Sequence, residues 1–205
     1  MSCTREVSGS SVKSTPMSTI DPGTVLLDAD ELDDVMGTSG SEVLDEGSAP
    51  DDVTDVEPPN CHGLVYIAGE VEYGSTHFTA MRWRVAGSGD ANVVEMVAQL
   101  PSVEKAGEFI DEQTRAWEGC ADEVITSTDK VSASTTQERV TAVETRPGMV
   151  IASMDSMSSE TVCQHGQHVL QAVSTVILDV SACSSSVPDP AEAIASKLAD
   201  RVQTG

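Results

Sequence analysis

The stretch Cys163–Cys183, CQHGQHVLQAVSTVILDVSAC, decides how this chain is read. Its second half, Val176, Ile177, Leu178 and Val180, is β-branched and apolar, the composition of a buried strand. A turn is expected near Val173, Ser174 and Thr175. Positions 163 and 183 lie at equal distances from 173. A hairpin folded about that point sets the two cysteines opposite each other, with Cα atoms ~4.5–5.5 Å apart, within reach of a disulfide. The same stretch also offers His165 and His168 beside Cys163, as a zinc site could. In a strand, however, Cys163 and His165 share one face and His168 points to the other. The residues favour a disulfide over zinc or free thiols.

The remaining cysteines follow from that choice. The chain has five. Cys3, in the opening MSCTREVSG, is read as a lipid-anchor cysteine of the kind that begins a processed bacterial lipoprotein. Setting it aside leaves Cys61, Cys120, Cys163 and Cys183, which permit three pairings. Pairing 163 with 183 leaves 61 with 120. Two disulfides suit an exported protein.

Charge excludes whole classes of partner. The 205 residues carry 34 acidic and 11 basic side chains, a formal net charge of −23. Nucleic acid and anionic lipid headgroups would both be repelled, so membrane contact is expected only through the anchor. Aromatics make up 3% of the chain, so the core must be aliphatic.

Along the chain, residues 1–21 read as a Ser/Thr-rich tether and 22–205 as one domain. Asp28 followed by Glu31 forms a capping-box pattern for a helix over 29–36, closed by Gly37. Residues 38–60 are acidic and poor in apolar side chains, and read as a surface loop. GLVYIAGEVEYG predicts a short helix and then an extended piece. THFTAMRWRVAG and ANVVEMVAQL alternate as a hairpin. SVEKAGEFIDEQTRAWEGC is a helix capped by Ser102, with Val103, Ala106, Phe109, Ile110, Thr114 and Trp117 on one face. EVITSTD, QERVTAVET and GMVIASMDS predict three strands, the last two joined by a turn at Arg146-Pro147-Gly148. A helix from Pro190, with Ile194, Leu198 and Val202 inward, closes the chain. The class is α+β: a single antiparallel sheet with helices packed mainly on one face.

DELDDVMG, PSVEKAGEFIDEQTRAWEGCADEVIT, CQHGQHVLQAVSTVILDVSAC and AEAIASKLADRV together resemble the extracellular sensor domain of the mycobacterial serine/threonine protein kinase H, a domain that also recurs in stand-alone lipoproteins. The resemblance spans roughly residues 22–203. Its most specific parts are the W-x-x-C at Trp117–Cys120 and the C…V-I-x-D-V-x-x-C ending at Cys183. It implies one α+β domain with the links 61–120 and 163–183, an open cleft for an unidentified ligand, and no catalysis. The start of the chain resembles the lipoprotein form, and the acidic 41–57 stretch departs from the family pattern.

No catalytic motif, phosphate-cradling loop or C-x-x-C pair occurs in the sequence, so the chain reads as a non-enzyme needing no cofactor and no metal. His77, Arg82 and Arg84 are the ligand-binding candidates, because two arginines together can grip an anionic group; their alternative use is to neutralise nearby carboxylates. Met149, Met154 and Met157 suit either an apolar groove or the core. The expected protein is a monomeric, extracytoplasmic, lipid-anchored domain binding a small molecule, lipid or envelope component. The second reading is an adaptor engaging an envelope protein or receptor kinase.

Overall fold

Nine strands form one antiparallel sheet, and the chain's short-range signals explain most of them. The computed structural model describes residues 19–89, 91–158 and 164–204. In chain order the elements are α1 (Pro22–Val25), α2 (Ala29–Met36), β1 (Glu42–Gly47), β2 (Thr54–Glu57), α3 (His62–Val65), α4 (Glu70–Tyr73), β3 (Ala80–Ser88), β4 (Ala91–Gln99), α5 (Val103–Glu118), β5 (Val124–Asp129), β6 (Thr135–Arg146), β7 (Met149–Ser156), β8 (His165–Val173), β9 (Val176–Cys183) and α6 (Pro190–Thr204). The spatial order of strands is β1-β3-β4-β9-β8-β7-β6-β5-β2.

The helix ends are where the sequence places them. Asp28 and Glu31 close a reciprocal capping box, and Gly37 ends α2 in the left-handed region at φ 66°. The Ser102 side chain accepts from the Lys105 N–H to start α5. α5 buries Ala106, Phe109, Ile110 and Trp117, while Val103, expected inward, is exposed. Pro147 and Gly148 turn β6 into β7, and Gly148 takes φ 72°, a backbone state that glycine adopts without penalty.

Helices cover both faces of the sheet, which corrects the expectation of one. Along β4, Val94, Met96 and Ala98 face α3, α4 and α5, whereas Val93 and Val97 face α1, α2 and α6. β9 alternates likewise, Ile177 to the first side and Leu178 to the second. Central strands buried on both faces read as near-continuous apolar runs, and VVEMVAQL and VILDV are such runs.

Residues 38–60 are not a loop. They contain both outermost strands, and the stretch between them spans the sheet. Nine flat strands would put the edges ~38 Å apart. The seven steps from Gly47 to Thr54 reach at most ~25 Å. The sheet therefore curls, and residues 48–53 run as a strap between its edges. The strap is fixed along its length. Trp83 Nε1 donates to Ala49 O at 2.8 Å. The Asp51 N–H donates to Ala68 O at 3.0 Å, the Glu70 N–H to Asp51 O at 2.7 Å, and the Lys130 N–H to Val53 O at 2.7 Å. It crosses over α3 and α4, so their side of the sheet is the concave one.

GEVEY, expected to be extended, is α4. The hairpin register also differs from expectation. β8 and β9 turn on Ser174 and Thr175, with Val173 opposite Val176 and Gln167 opposite Ala182. A two-residue loop follows strand twist better than a turn centred on one residue, and Ser174 takes φ 56° to make it. One rung beyond Gln167, Cys183 stands level with Gly166, so the direct opposition of 163 and 183 does not follow from the ladder.

Cys61 and Cys120 form a disulfide with Cα atoms 5.8 Å apart. Both are fully buried, and they tie the start of α3 to the end of α5. Closing a loop of this size typically stabilises by ~2–4 kcal/mol. Cys183 is also disulfide-bonded. Cys163 and Cys3 lie outside the described residues.

Candidate functional site

On the concave face the helices cover only part of each strand. α5 packs over the ends carrying Val150, Leu170 and Ile177, and α3 brings Leu64 over the middle. Beyond α3 no helix among the described residues covers the opposite strand ends, which line a cleft of about 280 Å³. Its floor is Asn92 of β4, Ser181 and Cys183 of β9, and Gly166 of β8. Met154 and Ser156 of β7 and Thr136 and Glu138 of β6 continue it, and Val65 at the end of α3 is a wall. The volume sits at the small end of the range for ligand sites.

Between the covered and bare ends lies a sealed polar cluster. His168 Nδ1 is 2.6 Å from Leu64 O, and its Nε2 is 2.5 Å from Asp179 Oδ1. Both ring nitrogens thus face oxygen atoms, the Leu64 carbonyl on one side and the Asp179 carboxyl on the other, so the ring is held between two partners. Tyr73 donates its hydroxyl to Asp179 Oδ2 at 2.5 Å. Burial and the Asp179 charge hold that hydroxyl far above the usual tyrosine range, so it remains a donor. The Trp117 ring lies on His168 with centroids 4.5 Å apart. His168, Asp179, Tyr73 and Trp117 are all buried. Each charge is paired and hydrogen-bonded, as burial requires.

The cleft residues are different. Among the described residues, the side chains of Asn92, Thr136, Glu138 and Ser181 make no hydrogen bond or ion pair with the protein. Burial raises the Glu138 carboxyl above its ordinary value, and His168 opposes the shift. A partly desolvated carboxylate in a cleft is a candidate for a functional residue.

The structure separates the three candidate ligand residues. Arg82 Nη2 and Arg84 Nη2 pair with Glu46 at 3.2 and 3.4 Å. Arg84 Nη1 also donates to Leu27 O at 2.7 Å and lies 4.0 Å from the buried Glu95. Both arginines alternate onto the α6 side of the sheet, away from the cleft. His77 lines another hollow, of about 280 Å³, with Lys105, Phe109, Glu108 and Glu112. His165 is exposed, with Asp155 at 2.7 Å. Met154 lines the cleft, Met149 packs into the core on the convex side, and Met157 is exposed. Among the described residues no group of three or more His, Cys, Asp or Glu side chains is placed to hold a metal ion, and no helix is long and apolar enough to cross a membrane.

Sequence reading missed all four unengaged cleft residues. Each is an ordinary polar residue in a strand, and only the register brings them together. The buried Asp179 did carry a signal: a carboxylate inside VILDV must have a partner.

Comparison with known proteins agrees with this architecture. The kinase PknH of Mycobacterium bovis is 27% identical over 189 residues, covering 87% of this chain and 30% of its own length. PknH of Mycobacterium tuberculosis is also 27% identical over 189 residues, with 29% of its length covered. The chain thus spans about 30% of the curated relatives it matches. The crystal structure of the extracellular domain of PknH from Mycobacterium tuberculosis superposes with a TM-score of 0.82 at 25% identity, covering 90% of this chain and 95% of that one. The model of the family described as PknH-like extracellular domain matches residues 19–201, and the chain belongs to that family.

Proposed function

We propose that this extracellular domain is a non-enzymatic ligand-binding module whose site is the cleft at the bare end of the concave face. The observation that carries the reading is the convergence of four unengaged polar side chains, Asn92, Thr136, Glu138 and Ser181, on one hollow. Unengaged hydrogen-bonding groups beside an apolar wall are what a ligand site presents. The family supports a place outside the cytoplasm. Among the described residues the concave side holds two His–carboxylate pairs, His168–Asp179 and His62–Glu72, and both are nearly closed to solvent, which supports binding without catalysis.

Native mass spectrometry of protein purified from its own cell envelope tests the reading. A small molecule should co-purify and be lost when Asn92 and Ser181 are replaced by bulkier side chains. Repeated preparations carrying nothing would count against it. Attachment through a lipid on Cys3 belongs to the same proposal, and metabolic labelling with a fatty-acid probe, abolished by Cys3→Ser, checks it. The adaptor reading has one observation in its favour: Val43 and Leu44 are exposed on the outer strand β1, 45% and 62% respectively. An envelope protein captured in a Val43→Asp-sensitive manner would support it.

A further inference from the structure

We infer that the cleft takes a small, hydroxyl-bearing ligand with an amine, whose ammonium group is received by Glu138 while Asn92, Thr136 and Ser181 bond its hydroxyls; this rests on the ligand-binding reading above. Three observations select that chemistry.

The first is the carboxylate itself. Glu138 lines the cleft and has no hydrogen-bonding or ionic partner in the protein among the described residues. The group that approaches it from below is His168, and His168 is already paired with Asp179 at 2.5 Å. Glu138 therefore faces the cleft with its demand for a donor unmet. A charge-assisted bond from an ammonium is about twice as strong as a neutral one.

The second is the absence of cations. No Lys, Arg or His is among the described residues lining the cleft. A phosphate or carboxylate ligand would meet Glu138 with nothing to offset it. The formal charge of −23 points the same way.

The third is the rest of the lining. Asn92 can donate and accept, and the hydroxyls of Thr136 and Ser181 can do either. Val65 and Met154 give an apolar surface for the C–H face of a ring. A volume near 280 Å³ limits the occupant to about one ring.

A matched panel on one scaffold tests this: glucosamine, glucose, glucuronate and glucose 6-phosphate, titrated into the full chain at physiological salt and read by amide NMR shifts at Asn92, Thr136 and Ser181. Glucosamine should bind tightest, and Glu138→Gln should weaken it at least tenfold while leaving glucose unchanged. The titration midpoint of the Glu138 carboxyl should fall when glucosamine is bound. Tighter binding of glucuronate or glucose 6-phosphate, or glucosamine binding indifferent to Glu138→Gln, overturns the amine assignment and leaves the cleft as a ligand site. If none of the four moves the cleft signals, the ligand-binding reading falls as well. Because Glu138 supports no other residue among those described, the Gln variant should keep its fold, and its unfolding curve checks this.

Discussion

Two carboxylates on opposite faces of one sheet have met opposite fates. Glu95 on β4 faces the convex side, fully buried under the segment that contains α1 and α2. It accepts from the Leu27 N–H at 3.4 Å, and Arg84 stands 4.0 Å away. Arg201 on α6 clasps the same segment, donating to Val25 O at 3.1 Å and Leu26 O at 2.6 Å and pairing with Glu31. Glu138 on β6 faces the concave side, half-buried and with no protein donor among the described residues. Burial raises the carboxyl of both, that of Glu95 to about 8. The difference lies in what surrounds them. Glu95 is enclosed by architecture that fastens the domain's first helices to the sheet. Glu138 lies in the cleft beyond α3, where no helix among the described residues covers it. A desolvated charge is therefore no guide to function until its partners are counted.

The largest test of this contrast concerns the charge between the two extremes. His168→Ala leaves Asp179 buried without its ring partner, and truncating one member of such a pair costs about 3–5 kcal/mol. Urea unfolding at neutral pH should show that loss. A loss below about 1 kcal/mol would mean that water reaches the cluster, which would then belong to the cleft.

Glu95 should betray itself through pH. Its folded pKa, about 8, stands above the ordinary 4.5, with burial as the main cause. The folded state thus holds the proton more tightly than the unfolded one. The stabilisation is complete below pH 4.5 and is lost as pH rises through 8. Stability should fall by about 5 kcal/mol across that window, and Glu95→Gln should flatten the curve. A wild-type profile as flat as that of the variant would show that the α1–α2 segment lifts to let water in.

The smallest effect on stability is expected at Glu138. Glu138→Gln removes a partly buried charge that supports nothing, so thermal unfolding should be unchanged or improved by up to about 1 kcal/mol. Binding should suffer instead. Destabilisation of several kcal/mol would place Glu138 with Glu95 among the structural carboxylates.

Much of this fold was legible along the chain. Asp28, Glu31 and Gly37 delimit α2, Ser102 starts α5, and Pro147-Gly148 turns β6 into β7, because caps and turns are local chemistry. β1 and β2 were not legible. Nearly every residue of β1 is exposed, so it lacks the alternation by which strands are recognised. Its acids are what an outer strand uses to discourage pairing with other chains. The second helix layer was hidden for a related reason: a strand buried on both faces names neither cover. The cleft residues stayed invisible because Asn92, Glu138 and Ser181 lie far apart in sequence, and no local pattern joins them.

The strap from Gly47 to Thr54 makes the sheet a hoop rather than a fan. The first and last strands share a tether of six residues, pinned at Ala49, Asp51 and Val53. They cannot be pulled apart without unseating α3 and α4 beneath. The two sheet edges are thereby held to a separation that the tether sets, and the concave face keeps its curl.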